Sequence, residues 1–314
     1  MVNDGADDPD GRRIFFLDRR CKVVRTVAYP SRPRDTEDLA RGADGTIWVG
    51  DIGDNGGSRE TIALWRLAPG ARKPTLFRVS YPDGARDAEA LVVSGDGTPV
   101  VITKDPVTAG IYVPAGELRA GRTTPLRRAG DVAVPVTGTS NPFGFAGRLV
   151  ITGAAVSSDG GRVVLRSYAD AFEFDVAQGD VVAALTEGSA RTVALPDEPQ
   201  GESIAYQPDG SALLTVSEGA GAALLRYPLA APAAPEQPKE TPEPRATTEP
   251  LAPTEAPAAE EGTTPKEASE EPPAAVTVAG RSGLPLGGLA AAGLMIIAGA
   301  ALGLVIVRRR RRTS

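Results

Sequence analysis

Residues 37–55 read EDLARGADGTIWVGDIGDN: an acidic start, a short apolar run, an Asp-Gly turn, a second apolar run and an exit rich in Asp, Gly and Asn. The plan returns at residues 89–105 (EALVVSGDGTPVVITKD) and 202–218 (ESIAYQPDGSALLTVSE). In each copy a glutamate stands seven residues before the turn aspartate: Glu37 and Asp44, Glu89 and Asp96, Glu202 and Asp209. A weaker fourth copy, residues 150–167 (VITGAAVSSDGGRVVLRS), turns at Asp159 and Gly160 and has Gly153 near the glutamate position. Asp-Gly between apolar runs is a hairpin signal, because both turn positions must tolerate positive φ.

Two further short strands are expected to follow most of these hairpins: residues 62–67 and 76–80, 110–113 and 130–135, 171–176 and 191–195, and then 222–227. The copies start 52, 64 and 49 residues apart, slightly longer than the ~40–50 of propeller blades. A lone four-stranded unit cannot bury both faces until its neighbours stack on it, so the expected fold is an all-β propeller. Its blades number about five, or six if one repeat has diverged past recognition, with the first blade truncated. A β-sandwich would leave the recurrent Glu-x6-Asp-Gly unexplained. No helix with a 3.6-residue apolar period is expected before residue 284.

Residues 2–8 (VNDGADD) have the look of a strand exit, and residues 13–17 and 22–28 read as two outer strands. The sequence is therefore expected to begin inside the first repeat, with inner strands and a signal peptide upstream. Cys21 is the single cysteine, excludes an intramolecular disulfide, and is expected to be buried and inert beside its apolar run. The chain has no histidine, which excludes a Ser-His-Asp triad and the usual His-ligated zinc or copper sites. Any metal would be held through oxygen, which points to calcium or magnesium.

Composition divides the 314 residues into unlike parts. Residues 1–230 carry 30 acids and 25 bases, with no basic face interleaved with aromatics, which argues against a nucleic-acid partner. Residues 231–283 are rich in Pro, Glu, Thr and Ala and are expected to form an extended, disordered stalk. Residues 284–307 contain no charge and are long enough to cross a membrane as a helix; Gly299 and Gly303 make a GxxxG match within them. Five arginines follow at 308–312, and the positive-inside rule keeps that tail in the cytoplasm and the propeller outside. Residues 284–288 (LPLGG) resemble an LPxTG sorting signal with Gly287 in place of threonine, and a retained anchor is expected.

In a propeller the innermost strand of each blade lines the central channel, so Glu37, Glu89 and Glu202 are expected to converge. Asp51, Asp54 and Asn55, at the exit of the next strand, are further oxygen ligands near the same mouth. Such a group suits a hard cation such as Ca2+, which takes six to eight oxygens. The same glutamates have a second role open to them, capping loop N–H groups or pairing with Arg34, Arg59 or Arg86. Asp51, Asp54 and Asn55 can likewise form a plain turn.

Residues 35–39 (DTEDL) with residues 48–55 (WVGDIGDN) resemble a family of secreted or membrane-anchored β-propellers from high-GC Gram-positive bacteria. The turn at residues 44–48 (DGTIW) resembles NHL and WD40-like repeats. More distantly, the glutamate-led inner strands resemble the gluconolactonase or SMP-type lactonases and the β-propeller phytases, calcium-dependent hydrolases. The first resemblance implies a ligand- or protein-binding module of the cell envelope. The second implies hydrolysis of esters, lactones or phosphoesters at a channel calcium, with Arg32, Arg34, Arg59 and Lys104 available to an anionic group.

Overall fold

The computed structural model describes residues 1–4, 8–196 and 198–229. The expected stalk, membrane span and basic tail lie outside the described residues, and among those described no helix is long and apolar enough to cross a membrane. The described chain is built from five antiparallel units in chain order. The first is the pair β1 (Arg13–Leu17) and β2 (Val23–Ala28). The second runs β3 (Asp38–Arg41), β4 (Ile47–Asp51), β5 (Ile62–Leu67) and β6 (Thr75–Ser80). The third runs β7 (Ala88–Val93), β8 (Pro99–Thr103), β9 (Thr108–Pro114) and β10 (Thr123–Ala133). The fourth is β11 (Gly153–Val156), β12 (Arg162–Arg166), β13 (Asp170–Asp175) and β14 (Arg191–Ala194), and the fifth β15 (Gly201–Tyr206), β16 (Ala212–Ser217) and β17 (Leu224–Pro228).

Each unit is an up-and-down meander, and in the second to fifth the first hairpin turns at the repeated Asp-Gly. The glycines there (Gly45, Gly97, Gly160 and Gly210) have φ between +69° and +85°, a region a Cβ would strain. Asp44, Asp96 and Asp209 each accept the N–H two residues on, from Thr46, Thr98 and Ser211, at 2.9 Å. The turn aspartates are thus consumed locally.

Apolar side chains fill the space between successive units. Ile14 and Val27 pack with Val49 and Trp65 between the first and second. Leu64 and Phe77 meet Leu91 and Tyr112 between the second and third. Ile102 and Ile111 meet Leu165 and Phe172 next, and Val164 and Ala171 meet Ile204 and Leu213 last. The inner strands β3, β7, β11 and β15 lie successively side by side. Sheets stacked face to face in chain order around their first strands make a β-propeller. At the periphery β10 also pairs in parallel with β6, Thr123 beside Arg78, which joins two units into one eight-stranded sheet.

Three local readings of the sequence are corrected. A helix does precede residue 284: α1 (Val181–Glu187) is capped by Asp180, whose carboxylate accepts the N–H of Ala183 at 3.0 Å. Only Val181, Ala184 and Leu185 of it are buried, so two turns were too short for the period to register. β10 is eleven residues long rather than the short strand read at 130–135; its charged outward positions mask the alternation. Cys21 is exposed, at φ +58° in the β1–β2 turn. The neighbouring apolar runs are the strands, and the turn stands clear of the core they form.

Candidate functional site

The repeated glutamates owe their direction to β-bulges. In β7 the register against β8 slips between Ala88 and Ala90, which leaves Glu89 as the extra residue. In β15 it slips between Gly201 and Ser203, which does the same for Glu202. Glu37, just ahead of β3, donates its N–H to the carbonyl of Gly50 at 2.9 Å, and Gly50 is already the partner of Asp38. A bulge puts two residues opposite one and re-aims a side chain.

The fourth unit repeats the geometry with a different residue. Thr152 donates its N–H to the carbonyl of Arg166 at 2.9 Å while Gly153 pairs with Arg166. Thr152, seven residues before Asp159, is therefore the counterpart of the glutamates, and Gly153 is the next position along. A Cβ on Gly153 would lie 2.1 Å from the carbonyl oxygen of Glu202, so glycine permits β11 to approach β15. The Thr152 hydroxyl donates to the carbonyl of Gly201 at 2.9 Å.

The bulges bring Glu37, Glu89 and Glu202 to one end of the inner strands, where Glu37 feels the charge of the other two and Glu89 that of Glu202. Three acids that the repeat did not single out join them. Asp4, Asp35 and Glu37 offer oxygens within 4.8 Å of one another, and so do Asp4, Glu202 and Glu218. Asp4, Glu37, Glu202 and Glu218 line a cleft of about 360 Å³ between the first and last units, bordered also by Val2 and Val216. Among the described residues no apolar cluster joins those two units; acids stand there instead.

Burial and crowding raise Asp4, Glu37, Glu89 and Glu202 above the ordinary carboxyl range. Glu37 is pushed up to about 10 by burial and by Asp4, Glu89, Asp35 and Glu202. Asp4 rises to about 7 by burial and by Glu202, Asp35 and Glu218. Glu89 rises to about 8 through burial, against the opposing pull of Lys104. Glu202 is raised by burial despite the hydrogen bond from Gln200 at 3.0 Å. No side-chain donor among the described residues reaches Glu37. Its Oε1 and the Asp35 carboxylate press on Gly53, where a Cβ would fall 1.9 Å and 2.6 Å from them. The glycine of the GDIGDN exit leaves room for those two acids.

Asp51, Asp54 and Asn55 do not join the cluster. Asp51 is buried and accepts from Arg59 Nη2 at 2.9 Å and from the backbone N–H groups of Arg34 and Asp35 at 3.1 and 3.0 Å. Asp54 accepts from the N–H groups of Ser58 and Arg59 at 3.0 and 2.8 Å, and Asn55 is exposed. Asp51 and Asp54 therefore brace the loops that present Asp35 and Gly53. Of the arginines considered as glutamate partners, Arg59 serves Asp51 and Arg86 pairs with Asp83 and Asp105.

Glu89 pairs with Lys104, whose Nζ also donates to the Tyr168 hydroxyl at 3.2 Å. Asp35 was legible inside the DTEDL motif and Glu218 as the last residue of its repeat. Asp4 carried no signal, since tertiary placement of the first residues alone brings it in. Clustered oxygens of this kind match the preference of a hard divalent cation.

No family model matches the chain, and no curated protein matches it. Solved structures similar to it include virginiamycin B lyase from Staphylococcus aureus, at 12% identity and a TM-score of 0.34, covering 67% of this chain and 57% of that one. A luciferin-regenerating enzyme is similar at 16% identity and a TM-score of 0.37, over 58% and 53%. A protein from Lactobacillus plantarum is similar at 12% identity and a TM-score of 0.41, over 72% and 64%. The chain spans less than two thirds of the length of each of these.

Proposed function

We propose that this protein is a membrane-tethered, extracytoplasmic β-propeller that binds its ligand through a divalent cation, calcium by its oxygen donors, held in the acidic cleft. The observation that carries the reading is the convergence of Asp4, Asp35, Glu37, Glu202 and Glu218 in two close groups of carboxylate oxygens. Crowded carboxyls are relieved either by protons or by a cation. The tether and its orientation rest on the uncharged run 284–307 and the arginines after it, and the envelope setting on the resemblance carried by residues 35–39 and 48–55. The partner is then an envelope ligand or protein that completes the cation's coordination.

A second reading uses the same convergence. A calcium with an open coordination position polarises a carbonyl or phosphoryl oxygen and orients water, which is how a hydrolase of esters, lactones or phosphoesters would use this cleft. Both readings meet first in calcium titration calorimetry on the full chain, beside Glu37→Gln and Glu202→Gln. Binding lost in both variants is expected. A folded wild-type chain that takes up no calcium would remove the cation from both readings. Binding followed by turnover of an ester, lactone or phosphoester panel would select the hydrolase.

A further inference from the structure

Glu89 differs from the other repeated glutamates in having its charge answered from within the chain. Lys104 leaves the end of β8, the partner of β7, and the hairpin returns its ammonium to the bulge. Nζ donates to Glu89 Oε1 and to the Tyr168 hydroxyl, and lies 5.5 Å from the Tyr168 ring centroid. Phe143 stacks on Tyr168 with centroids 4.3 Å apart. The Lys104 and Glu89 side chains are only 20% and 7% exposed. Glu89 Oε2 is buried and meets no donor, so the carboxylate is half engaged, with one oxygen left over within reach of the charge of Glu202.

Lys104 is also the basic side chain whose charge reaches Asp4, Glu89 and Glu202 alike. The other cation near Glu202, Arg166, is committed to Glu198, and Arg59 to Asp51.

We propose that Lys104 is a tethered counter-ion that keeps Glu89 out of the cation site and thereby sets its ligand number and affinity. The proposal rests on the cation reading of the cleft. A divalent ion entering the mouth meets the like charge of the ammonium and finds one Glu89 oxygen already taken. Without the ammonium, Glu89 would offer both oxygens and its full charge to an ion beside Glu202 and Glu37. Tyr168, held by Phe143, fixes where the ammonium sits.

The test is calcium titration calorimetry on the full chain as wild type, Lys104→Met, Lys104→Arg, Glu89→Gln and the Lys104→Met/Glu89→Gln double variant. Lys104→Met is expected to bind calcium about tenfold more tightly, and Glu89→Gln, which leaves the ammonium unpaired, about tenfold more weakly. Lys104→Arg should stay at the wild-type value, and the double variant should lose the gain. Calcium should also raise the melting temperature of Lys104→Met more than that of wild type, which a purely structural pair would not do. Wild-type binding with unchanged affinity in Lys104→Met overturns this proposal alone. Absence of binding in both overturns it together with the cation reading. If Lys104→Met does not fold, unchanged affinity in Glu89→Gln overturns the proposal by itself.

Discussion

Asp38 accepts the backbone N–H of Leu91 on its Oδ2 at 2.8 Å, across 53 residues of sequence. The same oxygen takes the N–H of Ala154 at 3.3 Å, and Oδ1 takes that of Leu39 at 2.7 Å. A single side chain on β3 therefore ties down β7 and β11, the inner strands of the next two units. Of its equivalents, one residue after each bulge, Ala90 and Gly153 carry no side-chain acceptor, and Ser203 donates its hydroxyl to the carbonyl of Val216 on its own hairpin. Asp38 is 8% exposed, so Asp38→Ala would strand two buried donors at about 1–3 kcal/mol each. Asp38→Asn keeps one acceptor and should lose less. Urea unfolding midpoints order the three proteins; an alanine variant as stable as wild type would mean these bonds contribute nothing.

That aspartate shows where the sequence stopped being readable. The hairpins announced themselves because Asp-Gly chemistry is local, and the seven-residue spacing marked the glutamate position in three copies, whereas in the fourth it was read at Gly153 and the structure places it at Thr152. Asp38 looked like one more acid beside Glu37, because its partners lie on strands far along the chain. The cleft was half legible for the same reason. Glu37, Glu89 and Glu202 share a repeat position, whereas Asp4 enters through the pairing of Met1 with Phe15, 14 residues on. Asp51 and Asp54 were read as ligands because residue type does not reveal that Arg59 has already engaged them.

The raised carboxyls make stability depend on pH with a definite sign. Asp38 moves from 3.8 to about 7, with burial the largest cause, Asp4 from 3.8 to about 7 and Glu89 from 4.5 to about 8. Each folded-state value lies above the unfolded one, so the native state holds protons that the unfolded chain has released. That contribution is full below about pH 4 and is lost as pH climbs through the folded-state values. Without divalent ions the melting temperature should therefore fall between pH 5 and pH 8, and Glu37→Gln should flatten the fall. Calcium should restore the loss at pH 8 and do little at pH 5. A melting temperature that rises over this interval in chelator would contradict the crowding of the cleft.

Gly53 separates occupancy of the cleft from stability of the fold. A methyl group there would meet first Glu37 Oε1 and Asp35 Oδ2, the ends of two side chains. Gly53→Ala should accordingly cost less than the about 1–3 kcal/mol of overpacking against fixed atoms. Both carboxylates must swing aside to make room, and calcium affinity should drop severalfold. Gly153→Ala is the contrast, because its methyl would strike the carbonyl of Glu202 and force β11 from β15. Overpacking of that kind costs about 1–3 kcal/mol. Equal stability of the two variants by chemical denaturation would show that the inner strands are not in this contact.

Behind Glu202, Arg166 and Glu198 form an ion pair at 3.0 Å with neither side chain exposed. Arg166 Nη1 also donates to the carbonyl of Ser203 at 3.1 Å, and Glu198 accepts from the Thr215 hydroxyl at 2.7 Å. The pair bolts β12 to the fifth unit, and Gly201 makes room for it, since a Cβ there would sit 1.7 Å from Arg166 Nη2. Arg166→Met leaves Glu198 buried without a counter-charge and should cost about 3–5 kcal/mol, whereas Arg166→Met with Glu198→Leu should be near neutral. The two variants then part stability from position. In the double variant the Ser203 carbonyl has lost its donor, so Glu202, one residue before it in the bulge, is held less firmly. Its calcium affinity should be weaker than wild type although its unfolding midpoint is not. Full calcium affinity in a stable double variant would mean that the bulge alone aims Glu202 and that the ion pair serves only to join the two units.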